Sequence, residues 1–95
     1  MTRLLLGRTL STPGALRAIE EAGLTPAFLL DKHATGDWGD VDSADWAANQ
    51  RALIDGSRVL SAYQIGPDVR VWITTEAQGD DGLRESTTIL LPSEY

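Results

Sequence analysis

At Gly56 the hydrophobic pattern of this chain changes period, and that change decides most of what it can fold into. Before Gly56 the apolar residues recur at helical spacing, and after it they alternate one in, one out. A helical half followed by a strand half within 95 residues predicts one α+β domain spanning 1–95.

The helical half carries its own punctuation. Thr12 can cap a first helix, with Pro13 in the first position, where a missing N–H costs nothing. Ala15, Leu16, Ile19 and Ala22 fall on one face, and Gly23 is a stop. Thr25-Pro26 opens a second helix that runs out near Ala34-Thr35-Gly36, with Phe28, Leu29 and Leu30 as its apolar content. Asp42 or Ser43 opens a third, with Asp45 in the first turn, where a carboxylate meets the positive end of the helix dipole. Trp46, Ala47, Leu53 and Ile54 are its expected apolar side.

In the second half, 58–65, 69–76 and 85–91 read as strands. Gly66-Pro67-Asp68 supplies a turn, and 77–84 a flexible polar loop. Val69, Val71, Ile73 and Thr75 share one face, and Arg70, Trp72, Thr74 and Glu76 the other. Strands joined this way make an antiparallel meander. Leu4 to Leu10 reads as a buried strand that can add a fourth. The expected architecture is a two-layer sandwich: an antiparallel three- to four-stranded meander with three short helices on one face.

No cysteine is present, which removes disulfides and thiolate metal sites and fits a reducing compartment. No apolar run approaches the ~20 residues of a membrane helix. The leucines at the start fall short of the ~7–15 residues of a signal-peptide core. A cytoplasmic, membrane-free protein is therefore expected. The net charge is −6 and the eight Lys and Arg are scattered, so direct nucleic-acid binding is not expected.

His33 to Trp46 is the segment where chemistry or recognition would sit. It holds the single histidine, two of the three tryptophans and four of the aspartates. His33, Asp37 and Asp40 are weak candidate metal ligands for Zn, Mn or Fe, although the spacing matches no EF-hand. His33 with Asp37 or Asp40 could serve acid–base chemistry, but no nucleophile stands out and the catalytic residues stay unknown. The segment also reads as an ordered connector, with aspartates bonded to nearby N–H groups, Trp38 folded onto the core and His33 capping the second helix as a cation. As a recognition surface it would use Asp37, Trp38, Asp40 and Asp45. For Trp72, on the face opposite the valines, the expectation is that both faces of the sheet are partly covered; if that face is open instead, Trp72 forms a contact patch with Arg70 and Tyr63.

Residues 33–40 (HATGDWGD), Asp45-Trp46, Asn49, 60–63 (LSAY), 71–76 (VWITTE) and 87–95 (TTILLPSEY), with the TPGAL start at 12–16, resemble a family of short bacterial proteins labelled plasmid-related and carried on mobile and accessory DNA. The likeness covers nearly the whole chain, although loop 77–84 looks longer than the family's link. Some members carry a restriction-system subunit label, but the cofactor-binding glycine loop and catalytic motif of a methyltransferase are missing from these 95 residues. The resemblance implies a small acidic protein that modulates a larger partner. The expected function is thus non-enzymatic binding to a protein partner without a cofactor. A metal-assisted hydrolase and an acidic DNA-mimic inhibitor are the alternatives.

Overall fold

A computed structural model describes residues 4–95 of the chain. In order, the elements are β1 (Arg8–Ser11), α1 (Pro13–Glu21), α2 (Pro26–Ala34), α3 (Ser43–Asp55), β2 (Val59–Gly66), β3 (Val69–Thr75), β4 (Ser86–Leu90) and a 3₁₀ turn at Pro92–Glu94. Each helix starts where a side-chain oxygen meets an otherwise unpaired N–H. The Ala15 N–H donates to Thr12 Oγ1 (3.1 Å), that of Phe28 to Thr25 Oγ1 (3.2 Å) and that of Asp45 to Asp42 Oδ1 (2.8 Å).

The sheet order is β1-β4-β3-β2. Strands β2, β3 and β4 form the expected antiparallel meander, with Val59 opposite Thr75 and Ile73 opposite Ile89. The sheet as a whole is mixed, because β1 joins β4 in parallel, Arg8 opposite Ser86 and Ser11 opposite Ile89. Three helices intervene between β1 and the meander, so the chain re-enters the sheet by a crossover rather than a hairpin, which permits parallel pairing.

Helices α1 and α2 bring Ala15, Ile19 and Leu29 onto Tyr63, Val71, Ile73 and Ile89. Helix α3 brings Ala52 onto Leu4, Trp38 and Val59. All the strand residues in these two clusters lie on one side of the pleat, so the helices cover one face of the sheet, as expected. Leu10, Leu60, Ala62, Arg70, Trp72, Thr74, Thr88 and Leu90 fall on the other.

Two local expectations are corrected. The first strand is Arg8–Ser11 at an exposed edge, not a buried strand from Leu4. Leu4 is buried beside Trp38 outside the sheet, and the Met1–Arg3 part of that expectation lies outside the described residues. In α3 the buried positions are Asn49 and Ala52, with Leu53 partly buried, whereas Trp46 and Ala47 are exposed and Ile54 is 90% exposed. The reason is what α3 docks on: the edge of β2, where a side-chain amide serves better than hydrocarbon.

Candidate functional site

Segment 36–40 seals the outer edge of β2. The Ala62 N–H donates to the Trp38 carbonyl (3.1 Å), and the Asp40 N–H donates to the Ala62 carbonyl (2.6 Å). One pleat further along, the Gln64 N–H donates to Asp40 Oδ2 (2.8 Å). In the other direction Asn49 grips Leu60 by both of its backbone groups, Nδ2 donating to the carbonyl (2.7 Å) and Oδ1 accepting the N–H (3.2 Å). Edge groups that would otherwise template a foreign strand are thus occupied. Gly39 permits this approach: its φ is +74°, and a Cβ there would collide with the Ala62 carbonyl and the Tyr63 ring.

The residues of that segment are therefore placed as follows. Trp38 is fully buried, with its indole N–H on Gln50 Oε1 (2.9 Å). Asp37 pairs with Lys32 (3.2 Å) and accepts the Gly39 N–H, while its carbonyl accepts the Tyr63 hydroxyl (2.6 Å). Asp45 and Trp46 lie exposed at the start of α3. Among the described residues no group of three or more His, Cys, Asp or Glu side chains gathers as a metal site requires.

His33 does not cap α2 as a cation. It is fully buried inside a polar chain that sequence reasoning missed. The Thr87 hydroxyl donates to the Leu6 carbonyl (2.7 Å), so its single proton is spent. Thr75, 2.7 Å from Thr87, must then donate to it, which leaves Thr75 Oγ1 to accept from His33 Nε2–H at 2.8 Å. Nδ1 is consequently bare and accepts the Ser61 hydroxyl. A serine hydroxyl on an imidazole is the pairing that activates nucleophiles. Here both side chains have zero exposure, so no substrate atom reaches Ser61 Oγ in this conformation.

Burial, and secondarily the positive charge of Arg84, lower the His33 pKa from 6.5 to about 4. The sign follows: between those values the unfolded chain binds a proton that the folded one refuses. Stability is full above pH 6.5 and is lost as pH falls towards 4, by about 3 kcal/mol in all. Urea midpoints should fall from pH 6.5 to 5. His33→Gln should flatten that slope, and an unchanged slope would refute the assignment.

The helix-free face of the sheet is itself partly covered, with Ala62, Thr74 and Leu90 buried, and it centres on Trp72, partly exposed. Tyr95 stands edge-on to it (centroids 5.3 Å apart, 73° between planes), and the Arg58 guanidinium lies 5.3 Å from the Tyr95 ring centre. Tyr63, expected beside Trp72, points instead to the helix-covered side, where burial raises its pKa. Arg58 and Tyr95 take its place. The alternation that exposed Trp72 also carries Arg58 to that face, so this neighbour was within reach of the sequence. Beneath them the buried Thr74 hydroxyl has no hydrogen-bond partner among the described residues. No family model, curated protein or solved structure matches this chain.

Proposed function

We propose that this protein is a small non-enzymatic binding module that seats a protein partner on the open face of its sheet, around Trp72. The observation that carries this is the one-sided layering: helices pack on one face only. The other face presents Trp72 and Leu60, partly exposed, with Leu10 42% and Tyr95 57% exposed, among Arg58 and Arg70. A large aromatic framed by arginines is a frequent make-up of binding hot spots. The 33–45 segment, the other surface considered, spends Trp38 and Asp40 on internal bonds.

The absence of cysteine favours a cytoplasmic setting, and no helix among the described residues is long and apolar enough to cross a membrane. The resemblance to proteins of mobile and accessory DNA supplies a context in which a small acidic protein modulates a larger one.

The test is affinity capture from a bacterial lysate, with wild type beside Trp72→Ala and Asp37→Ala/Asp45→Ala. Trp72→Ala is expected to weaken capture at least ~30-fold, the effect of losing a hot-spot aromatic. A partner held by Trp72→Ala but lost by the aspartate variant would move the surface to the 37–45 segment. No partner at all would sink the proposal.

A further inference from the structure

The two edges of the sheet are treated differently. Along β2 the outward groups of Leu60 and Ala62 and the N–H of Gln64 are bonded to Asn49, Trp38 and Asp40. At the opposite edge, Arg8 and Thr12 donate inward to the carbonyls of Glu85 and Ile89, both at 3.0 Å. Strand alternation therefore turns the N–H and C=O of Thr9 and Ser11 outward. Nothing among the described residues pairs with them, and Arg8, Thr9 and Leu10 are exposed. An unpaired edge of this kind is a template for another strand.

We propose that the occupant is a second copy of this chain, pairing β1 antiparallel to β1 about a two-fold axis normal to the sheet. The edge is self-complementary in one register, with Thr9 opposite Ser11 of the second copy. The outward-facing residues then form two pairs, each exchanging both backbone bonds. Leu10, 42% exposed, meets its own counterpart at the close, non-bonded position, about 4.5 Å between Cα atoms. Arg8 falls opposite the second copy's Thr12, whose hydroxyl donates to Glu94 at 2.7 Å. Each arginine is thereby brought towards a carboxylate, twice by symmetry. The alternative occupant, an extended segment of another protein, would not need this match of the edge to itself. The inference takes Leu10 from the face proposed above but leaves Trp72 uncovered, so pairing read with Thr9→Pro and partner capture read with Trp72→Ala fail separately.

Sedimentation equilibrium and amide hydrogen exchange test it. For a small interface the weight-average mass should climb towards twice that of one chain between ~10 µM and ~1 mM. Over the same range the Thr9 and Ser11 amides should become protected. Thr9→Pro removes an outward N–H while sparing the inward ladder, and should hold the protein at one chain's mass with an unchanged circular dichroism spectrum. Should that variant unfold, Leu10→Lys provides the second test, because it sets two ammonium groups face to face. Arg8→Glu should weaken pairing and Arg8→Glu/Glu94→Arg should restore it. A single-chain mass at every concentration overturns the proposal. Pairing that survives both Thr9→Pro and Leu10→Lys, or that leaves Thr9 and Ser11 unprotected, also overturns it.

Discussion

Replacing Trp38 with alanine is expected to cost about 3–5 kcal/mol of folding stability, a large share of the ~5–15 kcal/mol that holds a domain together. Three losses coincide. The indole is wholly buried against Leu4, Ala52 and Val59, so a cavity opens in that cluster. Gln50 Oε1 loses the N–H it accepts. The backbone of the same residue accepts the Ala62 N–H, so slack in the segment loosens the seal on β2. Trp46→Ala and Trp72→Ala remove exposed or half-exposed rings and should each cost less than ~1 kcal/mol. Urea denaturation of the three variants makes the comparison. Similar losses for all three would show that Trp38 is no more structural than the others.

Arg84→Met should be the next most damaging change, at about 2–4 kcal/mol. Arg84 is buried, yet its donors reach carbonyls rather than an acid. Nη1 donates to Ser57 (2.7 Å) and Glu76 (3.1 Å), and Nη2 to Ala52 (2.9 Å). Ala52 and Ser57 flank the end of α3, where the helix dipole welcomes a cation. One guanidinium therefore ties loop 77–84 and the end of β3 to that helix. Burial lowers its pKa, with Asp55 opposing the shift. Methionine fills much of the volume but strands the carbonyls. Arg84→Lys should recover less than half of the loss, because an ammonium cannot fork across three acceptors. Removing the charge should also raise the His33 pKa and narrow its acid window, a second readout in the same urea series. A loss below ~1 kcal/mol would mean that water replaces the guanidinium without penalty.

What was legible in the sequence is what is decided within a few residues. Thr12, Thr25 and Asp42 cap the neighbouring N–H groups, and the alternation of 69–75 sorts Val71 and Ile73 from Trp72 within one strand. What was not legible depends on partners far along the chain. The direction of β1 is fixed by β4, on the far side of three helices. Asn49 looks like an ordinary polar helix residue until Leu60 needs both of its amide atoms. His33 drew attention as the one histidine, but its role is set by Ser61 and Thr75, strand residues whose hydroxyls carry no local signature. Arg84 sits in a loop that reads as flexible because its acceptors are spread over residues 52–76.

The parallel pairing of β1 with β4 also has a consequence during synthesis. Arg8 pairs opposite Ser86, so β1 must wait on the ribosome for β4 to be made. At ~5–20 residues per second that interval is roughly 4–15 s. Through it the chain holds an unpaired Arg8–Ser11 strand beside helices whose sheet is still incomplete. The four-stranded sheet is thus complete only once β4 has been made. The nascent protein's exposure to proteases and to other nascent chains is set by elongation speed as much as by the stability of the finished fold.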